Sequence, residues 1–192
     1  MDPRAVYRLM VSVIVPRPIA FISTISESGI ANLSPFSYFM GVSSRPPIVA
    51  VSIARGKDAE KDTMRNIRQT REFVVNVVTR DLAEPMVKAS APHPATVSEF
   101  AVTGLTPIGS DKVGPPRVKE SPIHMECVVT DLVESPGGAD TTLVLGRVLR
   151  FHVERSLWGE GEVDPRALDP LARLGADLYA TLSDPFELKR PR

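Results

Sequence analysis

The sequence predicts a mainly β fold, a closed or partly closed antiparallel β-barrel with short helices inserted between its strands. About six segments rich in β-branched and aromatic residues follow one another through short connections. The chain's 18 prolines and 12 glycines in 192 residues interrupt it too often for an all-helical protein. Nothing resembling Gly-x-Gly-x-x-Gly follows a strand, so a Rossmann nucleotide site is unsupported. The length suits one domain spanning residues 1–192.

The first strand is read at Ile19–Ile25, and Ser26-Glu27-Ser28-Gly29 supplies a turn whose glycine tolerates positive φ. The return arm starts at Ile30. Pro35 cannot donate to a ladder, so Ser34 to Ser37 is expected to be irregular or on an edge. A third strand, Ile48–Ala54, carries an apolar run expected to be buried on both faces. Asp62 or Thr63 can cap a helix through about Arg71, with Met64 and Ile67 facing inward. Phe73–Val78 reads as a strand. Residues 81–91 read as a helix interrupted by Pro85, and residues 102–122 as a long surface excursion. A second hairpin is expected from His124–Leu132 and Thr142–Val153 around Ser135-Pro136-Gly137-Gly138-Ala139-Asp140, followed by a helix over Pro170–Tyr179.

Composition excludes several function classes. Lysine plus arginine balances aspartate plus glutamate at 23 each, so no global field draws the chain to nucleic acid or an anionic membrane. The aromatic fraction of 6% and scattered basic residues also fail the footprint of a nucleic-acid binder. No early apolar run is long enough to span a bilayer, and a cytoplasmic protein is expected. Cys127, the only cysteine, lies in an apolar stretch and reads as buried. His93, His124 and His152 lack metal-ligand spacing, so no metal is assigned. Without a Gly-x-Ser-x-Gly elbow, hydrolase chemistry is not supported.

Two stretches could carry chemistry. Between Arg55 and Asn66, a strand delivers Arg55, Lys57 and Lys61 to the Asp62-Thr63 helix start. Free N–H groups, a threonine hydroxyl and basic side chains suit a phosphate. A capped helix behind a solvated mixed-charge loop has the same signature, and Asp58, Glu60 and Asp62 complicate the phosphate reading. Asn32-Leu33-Ser34-Pro35-Phe36-Ser37-Tyr38-Phe39 combines short polar groups, unpaired backbone and aromatics. It could edge a planar heterocycle such as isoalloxazine, or be a polar turn entering an edge strand.

Pro16-Arg17-Pro18-Ile19-Ala20, Asn32-Leu33-Ser34-Pro35-Phe36-Ser37, Lys61-Asp62-Thr63 with Asn66-Ile67, and Glu72-Phe73-Val74-Val75-Asn76 together resemble the flavin reductase-like, FMN-binding split-barrel family, with flavoredoxin-type proteins the nearest likeness. The resemblance continues through Val97-Ser98-Glu99-Phe100, Pro122–Cys127, Leu145-Gly146-Arg147-Val148, Arg173-Leu174-Gly175, Tyr179, Phe186 and Pro191. It implies a six-stranded antiparallel Greek-key split barrel that dimerises, with FMN rather than FAD at the subunit interface. It also implies an oxidoreductase of the NAD(P)H:flavin reductase type, with NADH or NADPH as donor and a partner oxygenase or other acceptor protein. The alternatives are an FMN electron carrier without its own nicotinamide site and a flavin-free binding module. By resemblance, Asn32, Ser34, Phe36 and Ser37 line the isoalloxazine and ribityl chain, while Ser52, Arg55, Lys61 and Thr63 hold the phosphate. Arg17 is a further phosphate or ribityl contact, and Tyr179 packs near the flavin from the partner subunit. Ala176 departs from the more usual glycine. The flavin performs the redox step, so no side chain is nominated as catalytic.

Overall fold

Asp2 and Pro3 open a helix that the sequence reading did not include: α1 runs Pro3–Val13, and the Asp2 carboxylate accepts from the Arg4 N–H at 3.3 Å. The structure, a computed structural model, describes residues 2–56, 59–135, 140–182 and 184–191. Its main sheet has seven strands among these residues: β1 (Ala20–Ile25), β2 (Ala31–Phe36), β3 (Phe39–Ser44), β4 (Pro47–Ala54), β5 (Glu72–Val77), β6 (Ile123–Glu134) and β7 (Thr141–Val153). Their order is β2-β1-β5-β6-β7-β4-β3, and every pairing is antiparallel.

The β1–β2 hairpin turns through Gly29 at φ +82°, and β2 sits at the sheet edge, where Pro35 costs no ladder bond. The opposite edge, β3, is an addition to the expected strands. Its mostly exposed residues alternate Met40 and Val42 with Gly41 and Ser43, giving no buried face to read. Most of the loop between β6 and β7, Pro136–Ala139, lies outside the described residues, as do Lys57 and Asp58.

β1 is buried on both faces. Ala20 and Ile22 enter the barrel interior with Val51, Ile67, Phe73 and Val144. Phe21 faces the other way, into a second cluster with Leu33, Met86 and Phe100 beneath α3 (Ala83–Ala89) and α4 (Glu99–Thr103). Pro85 does not interrupt α3: it sits in the first turn, where its missing N–H would have no intrahelical acceptor. Between Thr70 and Asp62, α2 buries Met64 and Ile67 as expected.

Two further expectations change. Residues 102–122 are a strap rather than a free excursion, because the barrel strands hold their backbone at many points. The Val118 N–H donates to Asn76 Oδ1 at 2.8 Å, Gly114 N–H to Glu72 Oε2 at 2.8 Å, and Ser23 Oγ to Pro116 O at 2.5 Å. Residues 170–179 form no helix. Ala172–Arg173 pairs with Tyr179–Ala180 and with Arg17–Pro18 in a small three-stranded ladder. Among the described residues, no helix is long and apolar enough to cross a membrane.

Candidate functional site

The two chemistry-bearing stretches meet. Asn32, Ser34 and Phe36 share one face of β2. The Asn32 amide is buried and fully engaged: its Oδ1 accepts from Thr63 Oγ1 at 2.7 Å and Thr24 Oγ1 at 3.3 Å. Its Nδ2 donates to the Glu99 carboxylate at 3.1 and 3.0 Å. Two residues above the Thr63 contact, the Lys61 ammonium stands 5.2 Å from the centre of the Phe36 ring. The amino end of α2 is thus bolted to β2 from below and draped over it from above.

That helix end differs from the expected one. Lys61 occupies the cap position, and no side chain caps the first-turn N–H groups. Asp62 instead pairs with Arg65, and Glu60 accepts from Arg68 at 2.9 Å. The two described carboxylates that complicate an anion site are therefore neutralised by arginines. Burial lowers the Lys61 pKa from its ordinary value. Ser52 is half-buried on β4, with its N–H donating to Tyr38 O at 2.8 Å, while Arg55 is exposed. Thr63 is buried, and its hydroxyl proton is spent on Asn32. The backbone N–H groups and Lys61 remain as the donors at this end.

Arg17 is held chiefly by backbone carbonyls. It is buried, with its guanidinium donating to the carbonyls of Val11 (2.5 Å), Ile14 (2.7 Å) and Leu174 (2.8 Å). It thereby satisfies the carboxyl end of α1 and ties it to the C-terminal ladder. Its Nε still reaches Ser37 Oγ at 3.3 Å, so Arg17 orients a residue at the end of the candidate edge. Tyr179 lies in the same chain beside that edge: with Pro35, Phe36, Ser37, Met86 and Arg173 it lines a cavity of about 180 Å³. The Arg173 guanidinium stacks on the Tyr179 ring at 4.4 Å and bonds its hydroxyl. A larger cavity, about 950 Å³, opens on the other side of Ser37 and Arg173, against α1.

Sequence reasoning missed Glu99, Arg173 and Glu126. Each was present in a quoted motif, but a charged residue reads as solvated until a distant partner is known. Glu126 is fully buried and accepts from the Asp111 N–H at 2.9 Å, the Lys112 N–H at 2.6 Å and His152 Nε2 at 2.6 Å. Burial pushes its pKa up, but these bonds outweigh burial and hold it below its ordinary value. His124 is buried and Nε2-bonded to Val118 O at 2.7 Å; desolvation lowers its pKa. Cys127 is buried with its thiol pKa raised by desolvation, which agrees with the reading of an inert cysteine.

The model of the flavin reductase like domain matches residues 11–168. The chain belongs to the flavin reductase-like family. Nitrilotriacetate monooxygenase component B from Bacillus cereus is 35% identical with a TM-score of 0.93, covering 98% of this chain and 95% of that one. A protein with a split barrel domain from Shewanella frigidimarina is 26% identical with a TM-score of 0.88, covering 100% and 94%. The flavoredoxin of Desulfovibrio vulgaris (Miyazaki F), at 23% identity and a TM-score of 0.80 over 91% of each chain, shares the fold. The expected split barrel is thus this protein's fold, and its chemistry is that of a flavin-related oxidoreductase.

The residues present fit a flavin of this family. An anionic phosphate finds first-turn N–H groups without a side-chain cap, a lysine ammonium and an exposed arginine. A ring system finds an edge strand carrying Ser34, with Ser37 just past its end.

Proposed function

We propose that this chain is a single-domain, FMN-binding oxidoreductase that works as a homodimer, takes hydride from NADH or NADPH, and hands electrons to a partner oxygenase. The observation that carries this reading is the convergence at α2 and β2. The Lys61 ammonium lies 5.2 Å from Phe36, and the Thr63 hydroxyl 2.7 Å from Asn32, so a cationic helix end adjoins a polar strand edge. A flavin mononucleotide has matching parts, a terminal phosphate and a planar ring with polar rim atoms.

When bound, the flavin supplies hydride acceptance and onward electron transfer. The protein's residues bind and orient it. Lys61, Arg55, Ser52 and the first-turn N–H groups of α2 receive the phosphate. Ser34, Phe36 and Ser37 border the ring and ribityl chain, and Tyr179 closes the end near Ser37. Asn32, Thr63 and Arg17 act from beneath: they hold the strand edge and the helix end in register. Exposed Met40 and Val42 on the free edge β3 favour a second copy covering that face. The likeness to a monooxygenase component favours an oxygenase as the acceptor.

The test is anaerobic mixing of the purified protein with FMN and either NADH or NADPH while visible flavin absorbance is followed. Bleaching faster than in free FMN with at least one nucleotide is expected. Bound flavin that neither nucleotide reduces would refute the reductase reading in favour of an electron carrier. A protein that leaves FMN fluorescence unquenched would refute the flavin itself.

A further inference from the structure

We propose that Glu99 is a positioning residue for the flavin phosphate: it fixes the orientation of the Asn32 amide and, through it, the place of the Thr63 helix end. The inference rests on the flavin reading above. Glu99 is 5% exposed and lies in the first turn of α4, 67 residues from Asn32 in sequence. Its Oε2 accepts from the Leu33 N–H at 2.9 Å and from Asn32 Nδ2 at 3.0 Å, and its Oε1 accepts from Asn32 Nδ2 at 3.1 Å.

A carboxylate only accepts, whereas an amide has one accepting and one donating end. Glu99 therefore compels Asn32 to present Nδ2, which sends Oδ1 toward the hydroxyls of Thr63 and Thr24. Thr63 donates at 2.7 Å and is consumed by that bond. Thr24 in turn accepts from Asn66 Nδ2 at 3.0 Å, one turn along α2 from Thr63. A single buried charge on α4 thus sets the hydrogen-bond direction of a chain that crosses β2 and β1 and ends on two residues of α2. Because the helix is held at Thr63 and Asn66, its uncapped first turn is held too. The carboxylate touches no ligand, yet the donors that meet the phosphate depend on it.

The exchange of functional groups provides the test. In Glu99→Gln, one oxygen must still serve Leu33 and keeps its contact with Asn32 Nδ2, so the new amide nitrogen takes the place of Oε1 and meets Asn32 Nδ2 donor against donor. Asn32→Asp sets carboxylate against carboxylate. The double variant Glu99→Gln/Asn32→Asp restores the contact made now through Oε1, the new amide donating to Asp, while Asp accepts from Thr63 and Thr24 and Leu33 keeps its acceptor; only the 3.0 Å contact through Oε2 stays mismatched, oxygen facing oxygen. Equilibrium fluorescence titrations with FMN and with riboflavin, which lacks the phosphate, read the effect.

Asn32→Asp, which mismatches both contacts, should weaken FMN by about tenfold or more and Glu99→Gln, which mismatches one, by about threefold or more, with riboflavin changed less than about twofold, and the double variant should bind FMN at least about threefold more tightly than Asn32→Asp alone. Should a single variant fail to fold, recovery of the FMN preference over riboflavin in the double variant carries the same test. The inference is overturned if Glu99→Gln leaves FMN affinity unchanged, if FMN and riboflavin weaken equally, or if the double variant binds FMN no more tightly than Asn32→Asp alone. Failure of the unaltered protein to bind either flavin would overturn the flavin reading instead.

Discussion

Replacing Lys61 by methionine isolates the charge at the helix end. Methionine is unbranched and of similar length, so it can fill the place beside Phe36 while the ammonium, now 5.2 Å from that ring's centre, is lost. A hydrogen bond to a charged group contributes about 1.5–3 kcal/mol when shielded. Lys61 is exposed enough for water to screen part of this, which leaves about 1–2 kcal/mol, a factor of roughly 5–30 in the FMN dissociation constant. Riboflavin, with no phosphate, should bind the variant and the unaltered protein alike. pH gives a second handle. Burial places the Lys61 pKa below the ordinary 10.5, and the phosphate of FMN is already close to a dianion above about pH 7. As pH rises through the lowered lysine pKa, the cation disappears, so FMN affinity should fall in the unaltered protein. In Lys61→Met that fall should vanish. Fluorescence titrations between about pH 7 and 10 measure both effects. A methionine variant binding FMN within twofold of the unaltered protein, or one weakened equally for riboflavin, would show that the lysine is not a phosphate ligand.

Gly146→Ala places a methyl 2.7 Å from Phe73 Cε1, against a ring with no exposure, and should cost about 1–3 kcal/mol, lowering Tm by roughly 2–12 °C. An unchanged thermal melt would mean the strand pair can open there. Acid should destabilise the protein in two stages. His124 favours its neutral form in the fold, so its contribution is present above its ordinary 6.5 and lost as pH falls below that value. Glu126, with its pKa held down, contributes above its ordinary 4.5 and is lost as pH falls through the lower folded value. Denaturant midpoints should fall over both windows, and His124→Gln, which keeps a donor for Val118 O, should flatten the upper one; the same slope in that variant would assign it elsewhere. Cys127 should resist a thiol reagent in the native protein and react in denaturant, and rapid native labelling would contradict its burial.

Much of the barrel was legible because its strands carry their burial in their composition. Ala20–Ile25, Pro47–Ala54 and Glu72–Val77 are apolar enough that no tertiary information was needed. The parts that were not legible are held by partners far away in sequence. Nothing beside Arg17 in the sequence shows that it binds the C-terminal segment, because its Leu174 acceptor lies 157 residues on. Residues 170–179 show some helical character on their own; pairing of Arg173 with Arg17 and with Tyr179 decides against it. At α1, by contrast, Asp2 and Pro3 were a readable start signal, followed by apolar residues at helical spacing, and the absence of a long apolar run did not argue against a short helix.

The candidate site divides along the same line. Lys61, Arg55, Ser34 and Ser37 keep polar groups near the surface, and local chemistry together with the family resemblance suggested what they could hold. Asn32, Thr63 and Arg17 were assigned to the ligand by the same family resemblance, yet their polar atoms are bonded inside the protein. That difference has a physical reason. A helix end and a strand edge can meet a ligand reproducibly only if something prevents them from sliding, and buried polar groups do this better than apolar contacts because their bonds have direction. A residue type that suits a ligand therefore also suits the frame beneath it, and sequence alone does not separate the two. Burial does. Once Asn32 is known to be enclosed, the question moves from what it touches to what fixes it, and the answer is a glutamate that no local motif would have singled out.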